Sequence, residues 1–304
     1  MMTANVLTKS LTTVKTNKSA WLANLLLEFS DTSNGTQLTR TERNGPLSVQ
    51  KAFYPEGREC AHIYLLHPPA GIVSGDELRI NIKVNQQAHS LVTTPGANRF
   101  YRAREDLSIG DSKQAQHCEL FLAEHAKCEN FPLETIVYEG ADGVNTVDVH
   151  LKSSSVYLGW DITCLGLPRS EQFFKDGRYT QLNRVYCDDT LLYHDRISIK
   201  PENKIQQHIA GLNNKSVFAT FMAYAAKGLI NDTENKALIA KLRDVVIEDK
   251  AEQKISISQI RQLLVIRYLG QHGEECKTLF IKLWQIMRPL YLNKPANIPR
   301  IWHT

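Results

Sequence analysis

Apolar and polar residues alternate without a break through Leu78-Arg79-Ile80-Asn81-Ile82-Lys83-Val84. In an extended chain this puts Leu78, Ile80, Ile82 and Val84 on one face and Arg79, Asn81 and Lys83 on the other, the pattern of a half-buried strand. Further β-rich segments cover residues 22–29, 47–51, 62–66, 90–94, 118–122, 147–151 and 155–159. Turn formers such as Asn44-Gly45-Pro46, Ser74-Gly75-Asp76 and Asp142-Gly143 punctuate them. Many short strands with frequent turns predict an all-β architecture from about residue 21 to 200.

Beyond residue 210 the period changes. Residues 216–227 and 234–246 carry Ala, Leu, Phe and Met at helical spacing and predict two helices, the second capped by Asp232 or Thr233. Residues 256–269 read as strand again. Residues 274–291 read as a helix with Leu279, Leu283, Ile286 and Leu290 on one stripe, which Pro289 ends or bends. No low-complexity linker, charge block or internal repeat divides the chain. The expectation is one mainly β domain over 1–304, with two to three helices toward its C-terminus and a flexible stretch at 1–20.

Composition narrows the function. At 304 residues and 42% hydrophobic, the chain can bury a sizeable core. Its net charge is only +4 and its Lys and Arg are dispersed, which argues against nucleic acid as a partner and fits docking onto an acidic protein. The start is polar and rich in Thr and Lys, with no apolar core of a secretory leader. The longest apolar stretches, 217–226 and 263–266, fall short of the roughly 20 residues of a membrane helix, so a cytoplasmic protein without membrane contact is expected. Six widely spaced cysteines without a C-x-x-C pair read as reduced, mostly buried thiols.

The usual signatures of catalysis are missing: no H-E-x-x-H, no G-x-S-x-G and no G-x-G-x-x-G after a strand. Gly211-Leu212-Asn213-Asn214-Lys215-Ser216 lacks the second glycine of a phosphate loop and reads as a polar loop before a helix capped by Ser216. His117, Cys118, His125 and Cys128 include one H-x-x-C spacing, but in a strand residues 117 and 118 point to opposite faces. No catalytic residue and no tight metal site are expected.

Five stretches are distinctive together. They are Gly45-Pro46-Leu47-Ser48-Val49-Gln50 with Phe53-Tyr54-Pro55; Tyr64-Leu65-Leu66-His67-Pro68-Pro69-Ala70-Gly71-Ile72-Val73-Ser74-Gly75-Asp76; Thr93-Thr94-Pro95-Gly96-Ala97-Asn98-Arg99-Phe100-Tyr101-Arg102; Trp160-Asp161-Ile162-Thr163-Cys164-Leu165-Gly166; and Pro299-Arg300-Ile301-Trp302. In this order, over nearly the whole chain, they resemble the urease accessory proteins of the UreD (UreH) family. The resemblance implies a β-rich fold of helical, β-helix-like layout with two helices, acting without catalysis. It implies binding to the urease apoprotein and, on another surface, to UreF, which recruits the GTPase UreG. Nickel would pass transiently through an internal water-filled route, with no tightly bound cofactor.

A route must release what it binds, so carboxylates and water suit it better than a closed Cys/His cage. Asp161 is the leading candidate, an acid inside Val156-Tyr157-Leu158-Gly159-Trp160-Asp161-Ile162-Thr163 at the family's W-D position. Its bland alternative is a buried Asp bonded to backbone or to an arginine. Asp76 also fits a plain turn, Glu134 and Asp195 fit surface ion pairs, and His67 fits a neutral core imidazole. Arg99, Tyr101 and Arg102 are candidates for a partner interface, or for a solvated strand end paired with Glu105 and Asp106. Leu167 stands where the family carries an arginine after Cys-Leu-Gly, and Arg169 follows nearby. Two other readings remain open: a metal-dependent hydrolase or lyase using His67, Asp76 and Asp161, and a β module that stabilises apo-urease without conducting metal.

Overall fold

Over most of their course, successive strands of this computed structural model, which describes residues 21–303, do not pair with each other but alternate between two stacked sheets. The expected flexibility of 1–20 lies outside the described residues. The first sheet holds β1 (Trp21–Thr32), β2 (Gly35–Asn44), β5 (Asp76–Val84), β8 (Gln114–Leu122), β11 (Asp142–Leu151), β14 (Arg178–Cys187) and β15 (Thr190–Ile199). The second holds β3 (Ser48–Val49), β4 (Ala61–Leu66), β6 (His89–Thr93), β9 (Lys127–Phe131), β12 (Val156–Leu167), β16 (Val217–Tyr224), β17 (Ile255–Ile260) and β18 (Leu263–Gly270). Two short strands, β7 (Asn98–Phe100) and β10 (Thr135–Val137), run parallel beside the far half of β12, and β13 (Gln172–Phe173) pairs with its end.

The chain therefore winds as a coil. Each return to a sheet, one turn later, adds a strand in parallel: β1, β5, β8, β11 and β14 on one side, β4, β6, β9 and β12 on the other. This is the expected β-helix-like layout. Antiparallel hairpins finish it, β1 with β2, β14 with β15, and β16 with β18 and β17, and neither sheet closes into a barrel.

Parallel register stacks like positions into rows. Leu25, Ile80, Cys118, Val147, Asn183 and Asp195 form one row on the inner face of the first sheet, and Leu27, Ile82, Leu120, Val149, Val185 and Tyr193 form the next. The alternation in Leu78–Val84 holds as expected, with its four apolar side chains buried in the core between the sheets. The outer face of the second sheet is covered by α1 (Asp232–Glu248) and α2 (Gly273–Leu292), the two α-helices among the described residues. There Leu158, Trp160 and Ile162 of β12 meet Phe280, Leu283 and Trp284 in a second core.

Double coverage of this sheet corrects one expectation. The segment 216–227, expected to be helical, contains the strand β16, whose eight residues are all buried. Phe218, Met222 and Tyr224 fill the core between the sheets while Val217, Ala219, Phe221 and Ala223 fill the helix-side core. A strand buried on both faces is apolar throughout and has no period of two to read. Ser216 accordingly caps no helix; its hydroxyl donates to Gln271 Oε1 at 2.9 Å. The cap of α1 falls before both expected residues, on Asn231, which accepts from Thr233 and Glu234 while Glu234 accepts from the Asn231 backbone. Residues 256–269 divide into the hairpin β17–β18. Pro289 sits inside α2, which runs on to Leu292 before a left-handed Asn293 ends it.

The apolar face of α2 also carries Arg288, completely buried. Its guanidinium reaches Glu129 Oε1 at 3.0 Å and Glu56 Oε1 at 2.7 Å, and donates to the Pro295 carbonyl. Trp284 Nε1 donates to Glu129 Oε2 at 2.7 Å, His89 Nε2 lies 3.0 Å from Glu129 Oε1, and His62 Nε2 lies 2.6 Å from Glu56 Oε1. One arginine thus ties two His–Glu pairs to the C-terminal helix.

Candidate functional site

Between the sheets lies a cavity of about 320 Å³. Its apolar wall includes Leu47, Leu66, Ile80 and Val147, and its polar wall includes His67, Asn98, Arg99, Gln116, Asn145 and Asp161. The polar groups come from the coil itself. Gln116, Asn145 and Gln181 occupy one row across β8, β11 and β14, beside the row of Cys118, Val147 and Asn183.

These amides form a directed chain. Asn98 Nδ2 donates to Gln116 Oε1 (3.2 Å), Gln116 Nε2 to Asn145 Oδ1 (3.2 Å), and Asn145 Nδ2 to Gln181 Oε1 (2.9 Å). Gln181 Nε2 then donates to Asn183 Oδ1 (3.0 Å), and Asn183 Nδ2 to Asp161 Oδ2 (2.6 Å). Every link passes a donor forward, so the last member has to offer an accepting oxygen, which the Asp161 carboxyl supplies. Asp161 faces the cavity from β12 because its neighbours Trp160 and Ile162 face the helices.

Asp161 is buried, and its second oxygen, Oδ1, has no hydrogen-bond partner. Burial pushes its pKa up to about 7; the bond from Asn183 opposes the shift and the charge of Asp195 adds to it. Between an ordinary 3.8 and about 7, the folded chain holds a proton that the unfolded chain has released, so stability falls as pH rises across this window. Asp161→Asn removes the titration. It is expected to match the wild type near pH 4 and to exceed it by about 1–3 kcal/mol above pH 7.5 in urea unfolding. An identical pH slope in the two proteins would contradict the assignment.

The other candidates separate. His67 lines the same cavity and carries a buried Nδ1 without a partner. Burial lowers its pKa and the charge of Asp76 only partly offsets this, so the imidazole is neutral near pH 7. Asp76 lies outside the cavity lining, as the first residue of β5 after the turn at Ser74-Gly75, and its Oδ2 accepts from the Val73 amide at 3.0 Å. Glu134 is also outside the lining; its carbonyl accepts from the Asn98 amide. Asp195 stands on the row next to the relay, directly opposite Asn183, where it forms an ion pair with Arg267 at 3.0 Å and accepts from Thr220 through a long contact of 3.5 Å.

Arg99 lines the cavity, donating to the Ala70 carbonyl at 3.3 Å. Tyr101 stacks on Tyr138 with ring centroids 5.3 Å apart, and Arg102 pairs with Glu105 on the surface. Gly71 lies beneath Tyr101, where a Cβ would come within 2.2 Å of the ring, so the motif needs glycine there. His117 bonds Thr146 while Cys118 enters the core, on opposite faces as expected.

Sequence reading missed Gln116, Asn145, Gln181 and Asn183. Their signal was a polar side chain at an inward position of an alternating strand, as in Asn145 beside Val147. It also missed the buried cluster around Cys60. Glu56, Cys60 and His62 lie at metal-ligand spacing, as do Cys60, His89 and Glu129. Arg288 already serves both carboxylates as their cation, and burial raises the Cys60 thiol well above its ordinary range. The cluster works as a structural knot.

Comparison with known proteins agrees with the motifs. The family described as UreD urease accessory protein matches residues 22–303. The chain is 63% identical to the urease accessory protein UreD of Psychromonas ingrahamii over 310 residues, spanning 100% of both. It is 38% identical to that of a Marinomonas species, over 94% of this chain and 91% of the other, and 33% identical to that of Hahella chejuensis, over 93% and 91%. Similarity over this extent defines an accessory protein rather than a catalyst. The chain belongs to the UreD urease accessory protein family, and its role lies in urease maturation. No helix among the described residues is long and apolar enough to cross a membrane.

Proposed function

We propose that this chain is a nickel-delivery scaffold of the cytoplasm, holding apo-urease and UreF, with UreG joined through UreF, while nickel passes through the cavity between its sheets. The observation that carries the reading is Asp161, a buried carboxyl with an unpartnered oxygen at the end of an amide chain in a cavity. A volume of about 320 Å³ has room for roughly ten waters, enough for a cation that keeps most of its hydration shell. One carboxylate, a neutral His67 and several amide oxygens offer hard, replaceable ligands, which favour passage over retention. Arg99, in the cavity lining, and Tyr101 and Arg102, which follow it in the chain, are the proposed contacts for a partner protein.

The hydrolase reading requires His67, Asp76 and Asp161 around one substrate. Asp76 is committed to its turn away from the cavity, so the three do not converge. The scaffold is tested by co-expressing urease with its accessory proteins, with and without this chain, and measuring nickel per urease active site. Loss of bound nickel with urease protein still present is expected. Normal nickel content without the chain would overturn the proposal.

A further inference from the structure

The polar row that contains Asp161 does not stop inside the cavity. Across the second sheet Asp161 is the direct cross-strand neighbour of Thr220 on β16, and Thr220 of Arg267 on β18. The three side chains therefore share one face, turned toward the first sheet. On the first sheet Asn183, the donor to Asp161, stands directly opposite Asp195 on β15. Asp195, Thr220 and Arg267 line a second, surface concavity of about 420 Å³. Asn183 and Thr220 thus stand between the inner cavity and the outside, along the seam where the two sheets part.

Arg267 closes that seam. It reaches from β18 across to β15, where its terminal nitrogen lies 3.0 Å from Asp195 Oδ1 and donates to Tyr193 Oη at 3.1 Å. About half of its side chain is exposed, and both contacts rest on one nitrogen. Such a pair is cheap to open. While closed, it puts a fixed positive charge on the acid that a cation would meet first.

We propose that Arg267 is an electrostatic gate on the nickel passage, set between Asp161 and the surface concavity; this rests on the delivery reading above. With the guanidinium on Asp195, a divalent cation is repelled from the seam and Asp195 is unavailable as a ligand. With it swung into solvent, Asp195, Thr220 and Asp161 form a stepped series of oxygen ligands between outside and inside. The gate works by charge, so a neutral polar side chain leaves it open and lysine keeps it shut.

The test uses the full chain with apo-urease and its accessory partners, and reads the time course of nickel bound per urease active site by elemental analysis. Arg267→Gln is expected to speed loading about threefold, Arg267→Lys to match the wild type, and Asp161→Asn, run beside them, to slow it roughly tenfold. If Asp161→Asn slows loading while Arg267→Gln is no faster than wild type, the gate is overturned and the passage stands. Should Gln and Lys both slow loading, Arg267 is a staple of the seam and the gate is again overturned. Equal acceleration by Lys would remove charge as its basis. Unchanged loading by Asp161→Asn would bring down the passage itself, whatever Arg267 does.

Discussion

Asp161→Asn is expected to lower the nickel bound per urease active site by roughly tenfold while the variant chain folds, accumulates and still joins its partners. The substitution keeps the shape of the side chain and an oxygen to accept from Asn183, so the amide chain retains its end. What it removes is the charge and the basic Oδ1 that faces the cavity without a partner. The same change is expected to stabilise the chain above pH 7.5, because burial of an ionised carboxyl works against folding there. Gain of stability with loss of delivery is the mark of a group kept for function. Two measurements decide the matter, nickel content after maturation and the urea midpoint of the isolated chain. Undiminished nickel would leave the scaffold without a conducting interior, the plain β module considered at the outset.

The largest effect on stability is expected at Arg288. Arg288→Met conserves most of the volume but strands Glu129 and Glu56 beneath the helix. Breaking a buried pair in this way costs about 3–5 kcal/mol. Adding Glu129→Gln to the same chain removes one stranded charge and is expected to recover part of that loss. The acid limb supplies a second readout. In the wild type, burial alone would raise Glu56, but the bonds from His62 and Arg288 outweigh it and hold the pKa at about 2. An acid depressed in the folded state contributes stability above its ordinary value near 4.5, lost as pH falls through about 2. Without Arg288 the depression shrinks, so the deficit of the variant narrows on acidification. A deficit that stays constant from pH 5 down to about 2 would show that lost packing, not stranded charge, sets the cost.

Motif strings and alternation made much of this molecule readable from its residues, and where reading failed the reasons are physical. Leu78–Val84 is solvated on one side, so its period of two survives in the sequence. Strand Val217–Tyr224 is covered by a sheet on one side and helices on the other, so Ala, Phe and Met follow one another with no polar interruption and resemble a helix. Asp161 stood out because it is an acid among apolar residues. The relay that ends on it did not, because Gln116, Asn145 and Gln181 are far apart in sequence and meet only through parallel register. Arg288 was hidden for a similar reason: in the string an arginine on a helix looks solvated, and its two acids lie 159 and 232 residues away.

That last separation bears on how the chain is made. A coil whose turns pair only with their neighbours can grow as it leaves the ribosome, turn upon turn, with β4, β6 and β9 stacking as soon as each is available. Glu56 and Glu129 are then placed early with His62 and His89 but lack their arginine until residue 288 has been translated. Until then the nascent coil holds the two acids with only their histidine partners, beneath an uncovered apolar sheet. Arrival of the last helix supplies the missing charge and the missing roof in one step.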